Sequence, residues 1–75
     1  MSFGVNKETL ALLKQGYPRG TRVELLCMKD PQAPPIGTRG TVIGVDGIGS
    51  IMVRWDNGSG LNVLYGVDLC KVVED

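Results

Sequence analysis

The sequence predicts a mainly β protein, a small five-stranded barrel preceded by one short N-terminal helix. Apolar residues alternate with polar ones over short segments between residues 21 and 73. Turns rich in glycine, asparagine and aspartate separate these segments. The stretch before residue 17 instead combines a helix-capping asparagine with closely spaced leucines. We therefore divide the chain into an N-terminal helix over residues 1–16 and a barrel over residues 17–75.

The composition suits one small globular domain without a membrane segment. The chain has 75 residues, and 43% of them are hydrophobic, which is enough for a core. Eight basic and eight acidic residues give a formal net charge of zero, which argues against non-specific nucleic-acid binding. There is no run of about 18 apolar residues and no signal-peptide pattern at the N-terminus. We therefore expect a cytoplasmic protein with no membrane partner.

The chain lacks residues on which most metal sites and many active sites depend. It contains no histidine and only two cysteines, Cys27 and Cys70. A zinc site of the usual kind needs more such ligands, and histidine-based catalysis is excluded. The sequence therefore predicts no metal, no cofactor and no enzymatic activity. Both cysteines lie in apolar runs, so we expect buried free thiols; the alternative is one disulfide between the first and last strands.

Residues 5–16 are predicted to form the helix. Asn6 is a good N-cap, because its side chain can accept a hydrogen bond from an unpaired backbone N–H. Gly16 is expected to be the left-handed residue that ends the helix, and Pro18 follows as a stop. Residues 1–4 are expected to be frayed.

The helix carries the predicted self-association surface. A helix of about ten residues does not hold alone in water, so it docks either on its own barrel or on a second copy. Leu10 and Leu13 lie on one helix face, and Leu12 is exposed if these two pack on the barrel. We expect a homo-oligomer formed through Leu10, Leu12 and Leu13.

The first strand is followed by a stiff loop. The strand is predicted over Thr21–Met28, with Val23, Leu25 and Cys27 on one face. Residues 29–37 contain three prolines, which cannot donate to a strand ladder. This loop is therefore rigid, and it either recognises a ligand or covers one open end of the barrel.

The next two strands are predicted to form a hairpin. The second strand covers Gly40–Asp46, where the core residues Val42 and Val45 are three positions apart. Gly44 between them permits a bulge that restores the alternation. The third strand covers Ser50–Trp55, and its inward residues are Ile51, Val53 and Trp55.

Two further strands complete the barrel. The fourth covers Leu61–Leu64 after an Asn57–Gly58 hairpin turn, and the fifth covers Leu69–Val73 after a one-turn corner. Tight turns follow the second and third strands, and a longer loop follows the first. This connectivity matches an SH3-like barrel, in which the first and last strands are antiparallel neighbours. Cys27 and Cys70 would then lie close together.

Residues 30–35 (Asp-Pro-Gln-Ala-Pro-Pro) and 55–58 (Trp-Asp-Asn-Gly) carry a family resemblance. With them, the segment from about Tyr17 to Val73 resembles an uncharacterised domain family of small phage, prophage and bacterial proteins (domain of unknown function four-three-one-four). The resemblance implies an SH3-like domain that is frequent in phage genomes and has no established activity. The shorter pattern Gly-x-x-Gly-x-Val is also similar to the KOW motifs of ribosomal and transcription-factor barrels.

Outward-facing arginines are the first candidate ligand residues. Arg22, Arg39 and Arg54 lie at outward positions near the central strands. The planar guanidinium suits phosphate, which favours a small anionic ligand or nucleic acid. The alternative is a solvated surface in which the arginines pair with Glu24 and with aspartates.

The turn after the third strand supplies the other candidates. Trp55 is either a platform on which a ligand stacks or a core residue in the alternating strand. Asp56 and Asn57 either bind a ligand or build the turn, because their side chains bond their own backbone.

Three functions remain open. The leading hypothesis is a non-enzymatic binding module, a phage- or prophage-related accessory protein that docks on a host or phage macromolecule. It would act in the host cytoplasm if phage-encoded. The second is an oligomeric sponge that sequesters a nucleotide-type defence signal between arginines of neighbouring copies. The third is a nucleic-acid-binding KOW-like barrel, which zero net charge and 5% aromatic residues disfavour.

Overall fold

The computed structural model of the protein describes residues 5–74, which form one helix and five strands. In chain order the elements are α1 (Lys7–Gly16), β1 (Arg22–Cys27), β2 (Arg39–Val45), β3 (Ser50–Trp55), β4 (Val63–Leu64) and β5 (Leu69–Val72). The mainly β class, the five strands and the short preceding helix are thus confirmed. The fraying expected for residues 1–4 falls outside the described residues.

The five strands form one open sheet in the order β4–β3–β2–β1–β5, and all neighbouring strands are antiparallel. β1 and β5 are neighbours, as the proposed connectivity requires. β4 and β5 stand at the two ends of the sheet. The SH3-like assignment depends on this connectivity and stays a prediction.

The helix begins as predicted and ends differently. The Asn6 side chain accepts a hydrogen bond from the Thr9 N–H at 2.8 Å, which confirms the N-cap. Gly16 is not left-handed; it is the last helical residue, and Tyr17 is the C-cap with φ −128° and ψ 60°. The ring of Pro18 excludes the helical conformation at Tyr17, so the chain leaves the helix there without a left-handed residue.

The helix docks on its own sheet. Leu13 is only 8% exposed and belongs to the core, which it shares with residues of β1, β2, β3 and β4. Val5 packs against the same core, and a Cβ added at Gly49 would lie 2.9 Å from Val5 Cγ1. Gly49 has φ +87°, so glycine serves both the turn conformation and the close approach of the helix.

The inner face of the sheet builds the core. Its buried apolar residues come from the helix and from four strands: Leu13, Val23, Leu25, Val42, Ile51, Val53, Trp55 and Val63. The three inward residues predicted for the third strand are therefore confirmed. Val45 is half-buried and packs against this cluster.

The bulge predicted at Gly44 is confirmed. Val42 pairs with Val53, and the next pair along the ladder is Gly44 with Met52. Ile43 is therefore the extra residue of β2, and its side chain is 41% exposed. The bulge brings the valines of β2 back into phase with the core.

A second bulge, in β1, was not predicted. Leu25 pairs with Cys70, and Cys27 pairs with Leu69, so Leu26 is an extra residue. Residues directly opposite in an antiparallel pair share a face. The bulge thus turns Cys27 away from the face that holds Leu25 and Cys70. This corrects the prediction that Cys27 continues the inward face of β1.

The same bulge explains the state of the cysteines. Cys27 and Cys70 are both free, and each is half-buried rather than fully buried. Because the two side chains lie on opposite faces of the sheet, a disulfide would require backbone movement. Of the two alternatives left open by the sequence, free thiols are observed.

The proline-containing loop packs against the domain. Pro34 is buried, whereas Ile36 is exposed. The loop returns along β1, where the Gly37 N–H donates to the Leu25 carbonyl and the Leu25 N–H donates to the Thr38 carbonyl, both at 2.9 Å. The loop is thus fixed at its C-terminal end by the first strand.

Candidate functional site

The outer face of the sheet, which points away from the core, carries a row of polar side chains across three strands. The register places Arg22 opposite Thr41 and Thr41 opposite Arg54. Arg22 donates to the Thr41 hydroxyl at 3.0 Å and to both carboxylate oxygens of Asp56, at 2.8 and 2.6 Å. This is a bidentate pair, the geometry in which the guanidinium matches a carboxylate best. The charge of Arg22 is therefore offset within the chain.

A second row on the same face consists of alternating charges. Glu24 is opposite Arg39 on one side and Lys71 on the other. Its carboxylate lies 3.5 Å from Arg39 Nε and 3.8 Å from Lys71 Nζ. The pairing of arginines with Glu24 and with an aspartate, one of the two alternatives from the sequence, is therefore observed for Arg22 and Arg39.

Asp56 and Asn57 have different partners. Asp56 lies in the turn after β3, and its side chain pairs with Arg22. Asn57 builds the turn, since its side-chain oxygen accepts from the Ser59 N–H at 3.0 Å and Gly58 follows with φ +91°. The turn role is thus observed for Asn57, while the carboxylate of Asp56 joins the turn to β1 through its ion pair.

Arg54 lies beside a groove that the paired charges do not fill. The groove has a volume of about 270 Å³ and is lined by Arg19, Gly20, Thr41, Val42, Ile43 and Arg54. We call it the arginine groove. Within residues 5–74, neither Arg19 nor Arg54 forms an ion pair, and no acidic residue lines the groove. Two positive charges therefore face one small concave surface.

Arg19 was not among the predicted site residues, because it precedes the strands in a turn. The turn is held against β2 by two backbone hydrogen bonds of 2.8 Å, from the Gly20 N–H to the Val42 carbonyl and from the Val42 N–H to the Thr21 carbonyl. Gly20 adopts φ +94°. Through these bonds the turn brings Arg19 to the same groove as Arg54. The sequence signal for the turn, Pro18 to Gly20, gives no indication of the strand on which it folds.

A second groove adjoins the first. It has a volume of about 470 Å³ and shares Thr41, Ile43 and Arg54 with the arginine groove. From there it extends over the turn after β3, where it is lined by Asp56, Gly58, Ser59 and Gly60. We call the two grooves together the outer-face cleft. Arg54 and the exposed Ile43 line both grooves, where the two halves of the outer-face cleft meet.

Trp55 is a core residue. It is 1% exposed, and its indole N–H donates to the Leu61 carbonyl at 2.8 Å. Of the two alternatives from the sequence, the core position is therefore observed, and the alternative role of Trp55 as a stacking platform is corrected; the residue still contributes to the lining of the second groove. The bond to Leu61 also explains why β4 begins at Val63 and not at Leu61, since this part of the chain turns towards the indole.

The predicted self-association residues are exposed to different degrees. Leu13 is buried in the core, Leu10 is half-buried, and Leu12 is 67% exposed. Leu12 alone of the three therefore presents most of its side chain to a partner. Further exposed apolar residues lie between β4 and β5 and at the start of β5, namely Tyr65, Val67 and Leu69.

Two other aspartates near turns also accept hydrogen bonds from the backbone. Asp46 accepts from the Ile48 N–H at 3.1 Å and from the Ser50 N–H at 2.8 Å. Asp68 is buried, and its side chain accepts from the Leu64 N–H at 3.0 Å. Both carboxylates satisfy backbone donors of tight turns.

A separate apolar groove of about 310 Å³ lies between α1 and the β4–β5 connection, and it contains Tyr17 and Cys70. Burial is the largest cause that raises the pKa of the Cys70 thiol, and a hydrogen bond with the Tyr17 side chain opposes it. Burial also raises the pKa of Tyr17, with further increases from the charge and hydrogen bond of Cys70. The fold therefore favours the protonated form of both groups.

This arrangement predicts a loss of stability at alkaline pH. The folded protein holds the two protons more tightly than the unfolded chain, so the stabilisation is complete below the unfolded pKa of cysteine, about 8.5. It is lost as the pH rises through the higher pKa values of the folded state. Urea unfolding measured across this range should show a smaller pH dependence for Cys70→Ser than for the unsubstituted protein. Cys27→Ser is the matched control and should keep the original dependence; equal slopes for the two variants would contradict the prediction.

Two further properties concern residues 5–74 only. Over this range no group of three or more His, Cys, Asp and Glu side chains is placed to hold a metal ion. The single helix of this range is too short to cross a membrane.

Comparison with known proteins places the chain in a family. The family model described as "Domain of unknown function (DUF4314)" matches residues 6–73, which cover the helix and all five strands. No curated protein and no solved structure matches the chain. Because the match extends over almost the whole sequence, the chain belongs to the DUF4314 family of domains of unknown function.

Proposed function

We propose that the protein is a non-enzymatic binding module that docks on a macromolecule through the outer-face cleft. One observation carries this proposal. Arg19 and Arg54 have no acidic partner within the described chain and face the same groove, whereas Arg22 and Arg39 are paired on the same face. Unbalanced charge at a concave site attracts a ligand of opposite charge.

The roles of the carboxylates support binding rather than catalysis. Asp56 and Glu24 are engaged in ion pairs, and Asp46 and Asp68 bond turn backbones. A general acid or base needs a carboxyl group that is available to a substrate. In this domain these four groups stabilise the fold.

The resemblance to phage and prophage domains extends the proposal. We place the protein among phage-related accessory proteins with an SH3-like arrangement, acting in the host cytoplasm. The alternating charges of the second row favour a protein partner over the nucleic acid of a KOW-like barrel, since a polyanionic backbone binds best to consecutive positive charges. The nucleotide sponge would use the same two arginines, and the ligand tests below separate it from protein docking.

Self-association is a second part of the proposal. Leu12 is 67% exposed on the helix, and removal of its apolar surface from water at a contact with a second copy would favour association. We propose that Leu12 contacts a second copy while the outer-face cleft stays open.

Site-specific photo-crosslinking in producing cells tests both parts. A photoreactive residue in place of Ile43, beside Arg54, should give macromolecular adducts that Arg54→Glu removes. The same residue in place of Ile48, which is exposed at the turn between β2 and β3, is the control and should not give Arg54-dependent adducts. A photoreactive residue in place of Leu12 should give an adduct of two copies.

Adducts at position 43 that persist in Arg54→Glu, or that equal those at position 48, would contradict docking at the cleft. The absence of a two-copy adduct at position 12 would contradict self-association through the helix without affecting the docking result.

A further inference from the structure

The chemistry of the arginine groove narrows the kind of partner. Its two charged side chains, Arg19 and Arg54, are separated by the Thr41 and Ile43 positions of β2. The guanidinium group has a planar set of donors that matches carboxylate or phosphate. The groove therefore fits a ligand that presents two anionic groups, one for each arginine.

An apolar contact is built into the same place. Ile43 is the extra residue of the β2 bulge and is 41% exposed, and it lines both halves of the cleft. An exposed isoleucine in a groove that also holds two cations favours a ligand that carries an apolar group besides its acids. A phosphate group alone would leave this contact unused.

The charges around the groove are already paired. Beyond Arg54 the second groove is lined by Asp56, which pairs with Arg22, and the second row carries Glu24 between Arg39 and Lys71. Pairing leaves less positive charge for a nucleic-acid backbone than the three basic residues of these rows would offer alone. Only a ligand with an apolar side chain, which a protein segment supplies, uses the contact with Ile43.

The mode of binding follows from the sheet order. β2 and β3 are interior strands of the sheet, although β4 pairs with β3 only at Ser50 and Ile51. A ligand that contacts Arg19, Ile43 and Arg54 together lies across the outer face and binds through its side chains. Binding that depends on exposed charges is weakened by salt.

We infer that the arginine groove binds an acidic segment of a partner protein in which two carboxylate side chains flank an apolar side chain. Arg19 and Arg54 each take one carboxylate, and Ile43 contacts the apolar side chain. This inference rests on the proposed docking function and specifies its ligand.

The test is a titration monitored by NMR. The isotope-labelled full chain is titrated with a peptide of alternating glutamate and leucine whose two ends are chemically blocked. Amide shifts should concentrate at Gly20, Thr41, Ile43 and Arg54. The affinity should fall about tenfold, equivalent to about 1.4 kcal/mol, in Arg19→Gln and again in Arg54→Gln. Lys29→Gln removes an exposed positive charge from the proline-containing loop and should leave the affinity within about twofold, which is less than 0.5 kcal/mol.

Other probes identify the competing ligands. A peptide in which glutamine replaces glutamate should not bind, and inorganic phosphate, a cyclic dinucleotide and a short oligothymidylate should bind more weakly than the acidic peptide. Equal binding of the glutamine peptide, or tighter binding of any phosphate probe at the same amides, overturns the inference.

The crosslinking result separates this inference from the proposed function. If crosslinking at position 43 succeeds while the acidic peptide fails to bind, docking at the cleft stands and the ligand class is wrong. If both experiments fail, the proposed docking function is wrong as well.

Discussion

Replacing Gly40 by alanine should destabilise the protein by about 3 kcal/mol, at the upper end of the range for overpacked cores. A Cβ at this position would lie 2.7 Å from Val53 Cγ1, 2.8 Å from Trp55 Cε3 and 2.9 Å from the Arg54 carbonyl oxygen. Val53 and Trp55 are each 1% exposed, and the third contact is with backbone. None of the three can move aside without disturbing the central hairpin.

The size of this effect is large for a chain of 75 residues. Domains of this length have a free energy of unfolding of about 4 to 11 kcal/mol, so the variant should lose a large fraction of it. Urea unfolding monitored by the fluorescence of the single tryptophan measures the change.

Two other glycines provide graded controls. A Cβ at Gly44 would meet only the flexible Met52 Cε, at 3.2 Å, and a Cβ at Gly47 would have nothing within 4 Å. Gly47→Ala should therefore change the stability by less than about 0.5 kcal/mol, with Gly44→Ala between the two. An unfolding midpoint of Gly40→Ala equal to that of Gly47→Ala would show that the close packing at Gly40 is not as described.

The sequence predicts the fold better than it predicts the site, and particular residues show why. Alternation in Ser50–Trp55 and the spacing of Val42 and Val45 report local geometry, so the strands and the bulge at Gly44 follow from them. The bulge at Leu26 has no comparable signal, because Leu25 and Leu26 are equally apolar. The orientation of Cys27 therefore could not be predicted.

The candidate site depends on contacts between residues far apart in the chain. Arg22 pairs with Asp56 across the outer face, and Arg19 lines the same groove as Arg54 because its turn folds onto β2. Residue type indicates that an arginine can bind an anion, but it does not indicate which arginine already has a carboxylate. The sheet register decides this, and it separates Arg54 from Arg22 and Arg39.

The two rows also explain how a chain with no formal net charge can present a positive site. Asp56 offsets the charge of Arg22, and Glu24 is shared by Arg39 and Lys71, while other carboxylates, such as Asp46, are directed at turn backbones. Positive charge therefore remains on this face, and the arginine groove is the part of it that no acidic residue lines. Such a surface selects where an anionic ligand binds, because a ligand that is displaced from the arginine groove meets basic residues that are already paired with carboxylates.

Replacing Trp55 by alanine should have the largest effect of any single substitution at the core, about 3 to 5 kcal/mol. The side chain is 1% exposed and packs among Val53, Val63 and other core residues. Its loss would also leave the Leu61 carbonyl without the indole donor, which adds the cost of an unsatisfied acceptor. Circular dichroism in urea measures the change, since the variant has no tryptophan. Tyr65→Ala, which removes an aromatic side chain that is 55% exposed, is the control and should cost less than about 1 kcal/mol.

Gly40 and Trp55 should also be coupled, because they face each other across β2 and β3. Gly40→Ala should cost less in a Trp55→Leu background, where the overlap with Trp55 Cε3 is relieved while the overlaps with Val53 and the Arg54 carbonyl remain. Substitutions at residues in contact typically show interaction energies of about 0.5 to 3 kcal/mol, and we expect about 1 kcal/mol here. Strict additivity would mean that the overlap with the indole adds nothing to the cost at Gly40, which would then come from Val53 and the Arg54 carbonyl. Coupling would show that the absent side chain at Gly40 of β2 makes room for the indole of β3, so that this contact helps to hold together the two central strands that support the outer-face cleft.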